Sequence, residues 1–238
     1  MLRTRIEQWV IGAGLAIGLI GLGSLLVYAA VIVKEYERTV TVKGLSEREF
    51  AADVVIWPIQ YTVASNELDD LYQQLEDNNS KVQMFLSEWE IDAKTISVAE
   101  PSIVDKSAQQ YGGYEPALFR YSAGQTVTVY SRDIATVRQA QSQLSQLGKQ
   151  GIVLSGGDYG NQTEYLFTRL NEIKPAMVEE ATQNARQVAK KFAEDSVSRL
   201  GKIKRASQGQ FSIAARDRNN PHLKKVRVVS TVEYYLVD

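Results

Sequence analysis

Cysteine does not occur anywhere in the 238 residues. Disulfides, thiolate catalysis and thiolate-bound zinc are therefore excluded. The absence is compatible with an oxidising compartment and does not by itself assign one. Histidine is nearly absent as well, since His222 is the only one. A Ser–His–acid triad would have to run through it, and a multi-histidine metal site within one subunit is impossible. His222 falls in the turn-rich stretch Arg216-Asp-Arg-Asn-Asn-Pro-His222, which predicts a solvated loop position. No sign of charge dominates: the formal net charge is −1, so no global field points to nucleic acid or to an acidic substrate.

Phosphate-binding patterns fail in the same way. Gly156-Gly157 lacks the Lys-Ser/Thr of a P-loop, and Gly12-x-Gly14 sits in an apolar run without the strand–turn–helix that a dinucleotide site needs. The acid pairs Asp69-Asp70 and Glu179-Glu180 occupy adjacent helix positions, which do not face one another, and read as solvated faces. No catalytic constellation and no cofactor site emerges, so the expectation is a protein that is not an enzyme and carries no cofactor.

What is present begins at the N-terminus. Trp9 to Val33 holds 25 residues without a charge. As a helix it would be ~37 Å long, enough to span the ~30 Å hydrocarbon core with some tilt. A cleaved signal peptide has a shorter apolar region and a small-residue cleavage site, and Tyr28-Ala29-Ala30 is a poor one, which favours an uncleaved single-span anchor. Trp9 and Tyr28 suit the two interfaces. Arg3 and Arg5 precede the span while Lys34 and Arg38 follow it among acids. The positive flanks nearly balance, and the short tail with its free amino terminus tips the reading towards a cytoplasmic N-terminus and a periplasmic domain at the inner membrane. Gly14 and Gly18 form a GxxxG pair extended by Gly21, a face that lets helices approach closely in lipid; glycine is also simply frequent in membrane helices. The chain thus divides into a tail (1–8), an anchor (9–33), a linker with a first short strand (34–50) and a folded domain (51–238).

The organising stretch of that domain is Met177 to Gln210. Met177, Ala181, Ala185, Val188, Ala189, Phe192, Ala193 and Leu200 recur at helical spacing, and the alanines let such a helix lie close to what it covers. Gly201 then reads as its stop and Lys202 to Ile213 as a strand. Upstream, Thr39 to Lys43 is a small strand ended by Gly44. Ala52 to Ala64 is a stronger one, placed at an edge or bulge by Pro58. Asn66 can cap a helix whose face is Leu68, Leu71, Leu75, Val82, Phe85, Leu86 and Trp89. Strands follow near 95–99 and 120–130. Asp133 caps a shorter helix stopped by Gly148, and Gly151–Leu154 and Thr163–Leu170 read as a hairpin. Asn171 caps the long helix, and Ile203–Ile213 with Lys224–Val237 closes the chain. Strand pairs joined by loops favour antiparallel pairing with helices packed on one face, an α+β fold.

Two surface features remain. Lys190, Lys191, Arg199, Lys202, Lys204 and Arg205 form a basic segment. Binding anionic lipid or nucleic acid is one use, and the simpler one is offsetting a helix dipole at its C-terminus; no nucleic-acid partner is expected. Between residues 105 and 119 a polar loop carries Tyr111, Tyr114 and Phe119. These aromatics either present a contact surface or fold back over the sheet edge. With the glycine face of the anchor, they make self-association into a homo-oligomer the best-supported activity.

The chain resembles the SIMPL domain family, which includes bacterial periplasmic immunogenic and oxidative-stress defence proteins. The residues that carry the resemblance are Val40-Thr-Val-Lys-Gly44, Ala52-Asp-Val-Val55, Ala181-Thr-Gln-Asn-Ala185-Arg-Gln-Val-Ala189 with Leu200-Gly201-Lys202-Ile203, and Val226-Arg-Val-Val229. The resemblance implies antiparallel sheet with helices, an envelope location, ring-like oligomers in some members and a link to stress tolerance. It brings no catalytic motif. The expected function is a membrane-anchored, self-assembling envelope protein forming a ring or channel-like oligomer. The other reading is an interaction module that recruits an envelope protein through its loops. Many relatives look secreted, whereas this N-terminus reads as a retained span.

Overall fold

The computed structural model describes residues 2–36, 38–108, 118–155 and 162–237, with backbone only for 2–11, 13 and 34–36. Tyr111, Tyr114 and the Gly156–Gly157 pair lie outside the described residues. Helix α1 (Leu2–Tyr36) contains the one described segment long and apolar enough to cross a membrane, Gly14–Val33. Its aliphatic side chains are exposed; Ile17 and Ile20, for example, show 71% and 72% of their surface.

The architecture is α+β with antiparallel sheets, and the chain folds as two units: Met1–Arg48 with Ile173–Ser212 and Arg227–Asp238, and Glu49–Glu172 with Ile213–Val226. In the second unit, β2 (Val54–Ser65) pairs antiparallel with β5 (Tyr121–Ser131) over its whole length, from Val55↔Ser131 to Ser65↔Tyr121. Strands β3 (Ile96–Val98) and β4 (Ser102–Asp105) both pair with the far side of β5. Strict alternation along β2 sends Val55, Trp57, Ile59, Tyr61 and Val63 into one core. Helix α2 (Leu68–Glu88) covers that core with Leu71, Leu75, Val82, Phe85 and Leu86. Leu68 falls off the stripe and is exposed. Helices α3 (Ile134–Ser142) and α4 (Ser145–Lys149) add Val137, Ala140 and Leu147 to the same core.

Several local expectations shift for physical reasons. Strands β6 (Val153–Leu154) and β7 (Glu164–Leu166) do not form a hairpin; each pairs separately with β2. Their separation accommodates Pro58. The Ser155 amide donates to Gln60 O, so the even-numbered residues of β2 point their backbone groups to that side. Pro58 therefore sits in the gap between the β7 pairing at 54–56 and the β6 pairing at 61–62, where its missing N–H is harmless. Asn66 does not cap α2. The cap position is Glu67, and the Asn66 side chain instead accepts from the Arg120 amide. Asp133 does cap α3, accepting from the Thr136 amide at 3.0 Å. Gly148 lies inside α4; the helix ends at Lys149, and Gly151, just past its cap Gln150, takes the left-handed position with φ +89°.

In the other sheet, the order is β1 (Thr39–Ala51), β10 (Leu223–Val237), β8 (Arg199–Gln208), with β9 (Ser212–Ala215) also on β10. β1 does not stop at Gly44, because that glycine is where the strand passes under helix α5 (Leu170–Asp195). Helix α5 presents Met177, Ala181, Ala185, Ala189 and Ala193, and Ala185 and Ala189 pack with Val42, Val232 and Tyr234. It begins at Leu170, so Asn171 lies within it, and it ends at Asp195, so Leu200 and Gly201 belong to β8. Gly201 serves a close crossing instead of a helix end: a Cβ there would lie 2.9 Å from Tyr235 O. The basic segment does not offset the α5 dipole either, since the last turn holds no basic residue and Arg199 to Arg205 form a strand.

Candidate functional site

Phe119 is the one loop aromatic that the structure places. It is 39% exposed and lines a groove of about 620 Å³ with Gln74, Asn78, Lys81, Gln150 and Val153, among others. The groove runs between α2, the α4–β6 turn and β2, and the Lys81 ammonium reaches Gln150 O at 3.5 Å across it. Asn78 is 8% exposed. It interrupts the apolar stripe of α2 between Leu75 and Val82, the one signal by which sequence reasoning could have found this groove.

The loop carrying Phe119 grows from a clamped base. The Lys106 amide donates to Arg120 O at 2.9 Å. The Arg120 guanidinium donates to Asp105 at 3.0 and 3.3 Å and lies over the Tyr121 ring. Asp105 also accepts from the Ser107 amide and hydroxyl. The Arg120 hydrogen bond, followed by those from Ser107, pulls the Asp105 carboxyl down to about 2. The clamp therefore stays charged at every pH above about 2.

A second carboxylate fixes the start of β2. Asp53 accepts from the Thr168 amide at 2.9 Å, the Thr168 hydroxyl at 3.1 Å and the Arg169 guanidinium at 3.2 Å. Burial works to raise its pKa, but the bonds from Thr168 and Arg169 outweigh it, and the group titrates below its ordinary 3.8. A depressed acid contributes stability that is present above its unfolded value and is lost as pH falls through the folded one. Asp53→Asn should cost about 2 kcal/mol at neutral pH, the range for charge-assisted hydrogen bonds. In urea titrations the gap to wild type should narrow as pH drops below 3.8; an unchanged gap refutes the assignment.

Neither acid faces a nucleophile–base pair. His222 lies in the expected turn, just before β10, but is half-buried there, with its ring 6.0 Å from that of Tyr165. Burial first, then Arg138 and Arg216, hold its pKa below the ordinary value, against a smaller opposing effect of Asp217. Among the described residues no group of three His, Asp or Glu side chains is arranged to hold a metal. On α1, a Cβ added at Gly14, Gly18 or Gly21 would meet nothing within 4 Å, so this face is open.

The fold and these surfaces define an α+β protein of antiparallel sheets, with a helix at its N-terminus long enough to cross a membrane. The family model for SIMPL, described as a protein of unknown function (DUF541), matches residues 40–233, and the chain belongs to that family. No curated protein matches it.

Proposed function

We propose that this protein is held by α1 in the inner membrane, N-terminus in the cytoplasm and SIMPL domain in the periplasm, and that it self-assembles into a ring or channel-like oligomer serving stress tolerance rather than catalysis. A SIMPL domain behind an apolar N-terminal helix fits a membrane-anchored envelope protein. The observation that carries self-assembly is the uncovered glycine face of α1 at Gly14, Gly18 and Gly21, which lets a second helix approach to backbone contact in lipid. The mass of the full-length protein in mild detergent tests it. A large, discrete oligomer is expected, and a monomer at all concentrations overturns the proposal. Replacing Gly14 and Gly18 with Ile locates the contact. Dissociation assigns it to α1, and persistence assigns it to the folded domain.

A second reading, recruitment of an envelope protein, is favoured by the clamped loop and the Phe119 groove. Replacing Tyr111, Tyr114 and Phe119 with Ser should abolish co-purification of the partner and leave self-assembly intact. Unchanged co-purification counts against it.

A further inference from the structure

Helix α5 ends in a way that the fold alone does not explain. The Ser198 amide donates to Ala193 O at 2.9 Å and the Val197 amide to Glu194 O at 3.0 Å. That is the hydrogen-bond pattern of a Schellman end, whose left-handed residue is usually glycine. Here it is Val197, with φ +55°. A β-branched residue is strained in that region. Val197 also gains nothing from burial, since it is 92% exposed. Val188 and Phe192, one turn apart on α5, are 41% and 54% exposed. Strain and exposure coincide at a residue with no compensating burial among the described residues, the pattern expected where another surface supplies it.

The position of this tip says which surface. Arg38 follows α1 by two residues, and its guanidinium donates to Ser198 Oγ at 3.0 Å. Leu236 N donates to Arg38 O at 2.9 Å, and Val237 pairs with Arg199. From Val33 to Tyr36 the helix rises about 5 Å, and two further residues add at most about 7 Å. Arg38, with Val197 one residue from its partner Ser198, is therefore held within or just beyond the headgroup layer. In the chain, Lys190, Lys191, Arg199 and Lys202 flank the tip against Glu194 and Asp195, of which Glu194 is paired with Lys191 at 3.5 Å. Apolar side chains at the apex with basic ones behind them match an interfacial contact with anionic lipid.

We infer that the α5–β8 tip around Val197 docks onto the anionic phospholipid surface from which α1 emerges, holding the domain against the membrane. The inference rests on α1 being an anchor. The chain has no cysteine, so Ser196→Cys and, as a control at the opposite end of β8, Gln208→Cys can each be labelled with NBD in the full-length protein. The labelled proteins are reconstituted into phosphatidylcholine vesicles with and without phosphatidylglycerol, and the outward-facing label is reduced with dithionite. At residue 196 reduction should be several-fold slower than at 208, and slower still with phosphatidylglycerol. Adding Val197→Asn, which tolerates the left-handed conformation without strain, should restore fast reduction without lowering the melting temperature. Equal rates at 196 and 208, or protection that survives Val197→Asn, overturn the docking. Equal protection in both lipids overturns its electrostatic part. Failure to float with the vesicles overturns the anchor, and the docking with it.

Discussion

Gly44→Ala should prevent the first unit from folding. A Cβ at this position would fall against Ala181 O and Ala185 N of α5, closer than any real Cβ approaches, and 2.9 Å from Ala185 Cβ. Two of these three atoms are helix backbone, so no rotamer change relieves the clash. Either β1 or α5 must move by on the order of 1 Å, and close-packed interiors transmit such shifts rather than absorb them. The movement would pull apart Val42 from Ala185 and Ala189. It would also separate the Ser46 hydroxyl and Arg48 guanidinium from Glu180, and Leu45 O from Asn184. The expected loss exceeds about 4 kcal/mol, the range kept for overpacked core sites. Leu45→Ala, one residue on and exposed, should stay within about 0.5 kcal/mol. Denaturant titration of both variants checks the pair. A Gly44→Ala protein within about 1 kcal/mol of wild type would mean that α5 does not cross β1 this closely.

Tyr61 carries the second large effect, and its hydroxyl and ring can be separated. The residue is fully buried. Its hydroxyl donates to Leu75 O at 3.1 Å and meets Gln125 Oε1, while Gln125 Nε2 donates to Ala99 O at 2.9 Å. This chain ties β2 and α2 to the break between β3 and β4. Tyr61→Phe keeps the packing and leaves Gln125 and Leu75 O without the hydroxyl, a loss of about 2 kcal/mol. Tyr61→Ala removes the ring as well and should cost about 4–5 kcal/mol. Burial raises the Tyr61 pKa from 10.0 to about 12. A group whose folded pKa is raised contributes stability that is complete below the unfolded value and is lost as pH rises through the folded one. Wild type should therefore lose stability between pH 10 and about 12, and Tyr61→Phe should lack that component. Equal alkaline loss in both proteins would remove Tyr61 as its source.

Helix faces were legible where one residue type set the pattern. The line Met177, Ala181, Ala185, Ala189, Ala193 is buried as its spacing predicts. Val188, Phe192 and Leu200 were wrongly placed with it. A helix that rests on a sheet through alanine touches it along a narrow line, so neighbouring apolar positions stay outside. Helix ends were less legible. Glu90 and Val197 hold left-handed positions where glycine is the usual signal, so α5 seemed to continue to Gly201. Past the end of α4 the left-handed position is held by the expected residue type, Gly151. The candidate groove was half-visible: Phe119 stood out as an aromatic in a loop, whereas Asn78, Lys81 and Gln150 come together only through the packing of α2 against the α4–β6 turn.

The amino-acid sequence by itself determined the apolar N-terminal helix, the antiparallel α+β character and the absence of thiol or multi-histidine chemistry. Each of these depends on composition or on spacing within a few residues. Tertiary structure alone decided that the strands form two sheets, that Gly44 and Gly201 mark close crossings, and that the basic stretch after α5 is an edge strand beginning beside Ser198, the partner of Arg38. Those outcomes depend on contacts between residues tens of positions apart, as Gly201 and Tyr235 are, or more than a hundred, as Gly44 and Ala185 are. Their energies are set by which backbones can approach one another, and a local pattern carries no record of that.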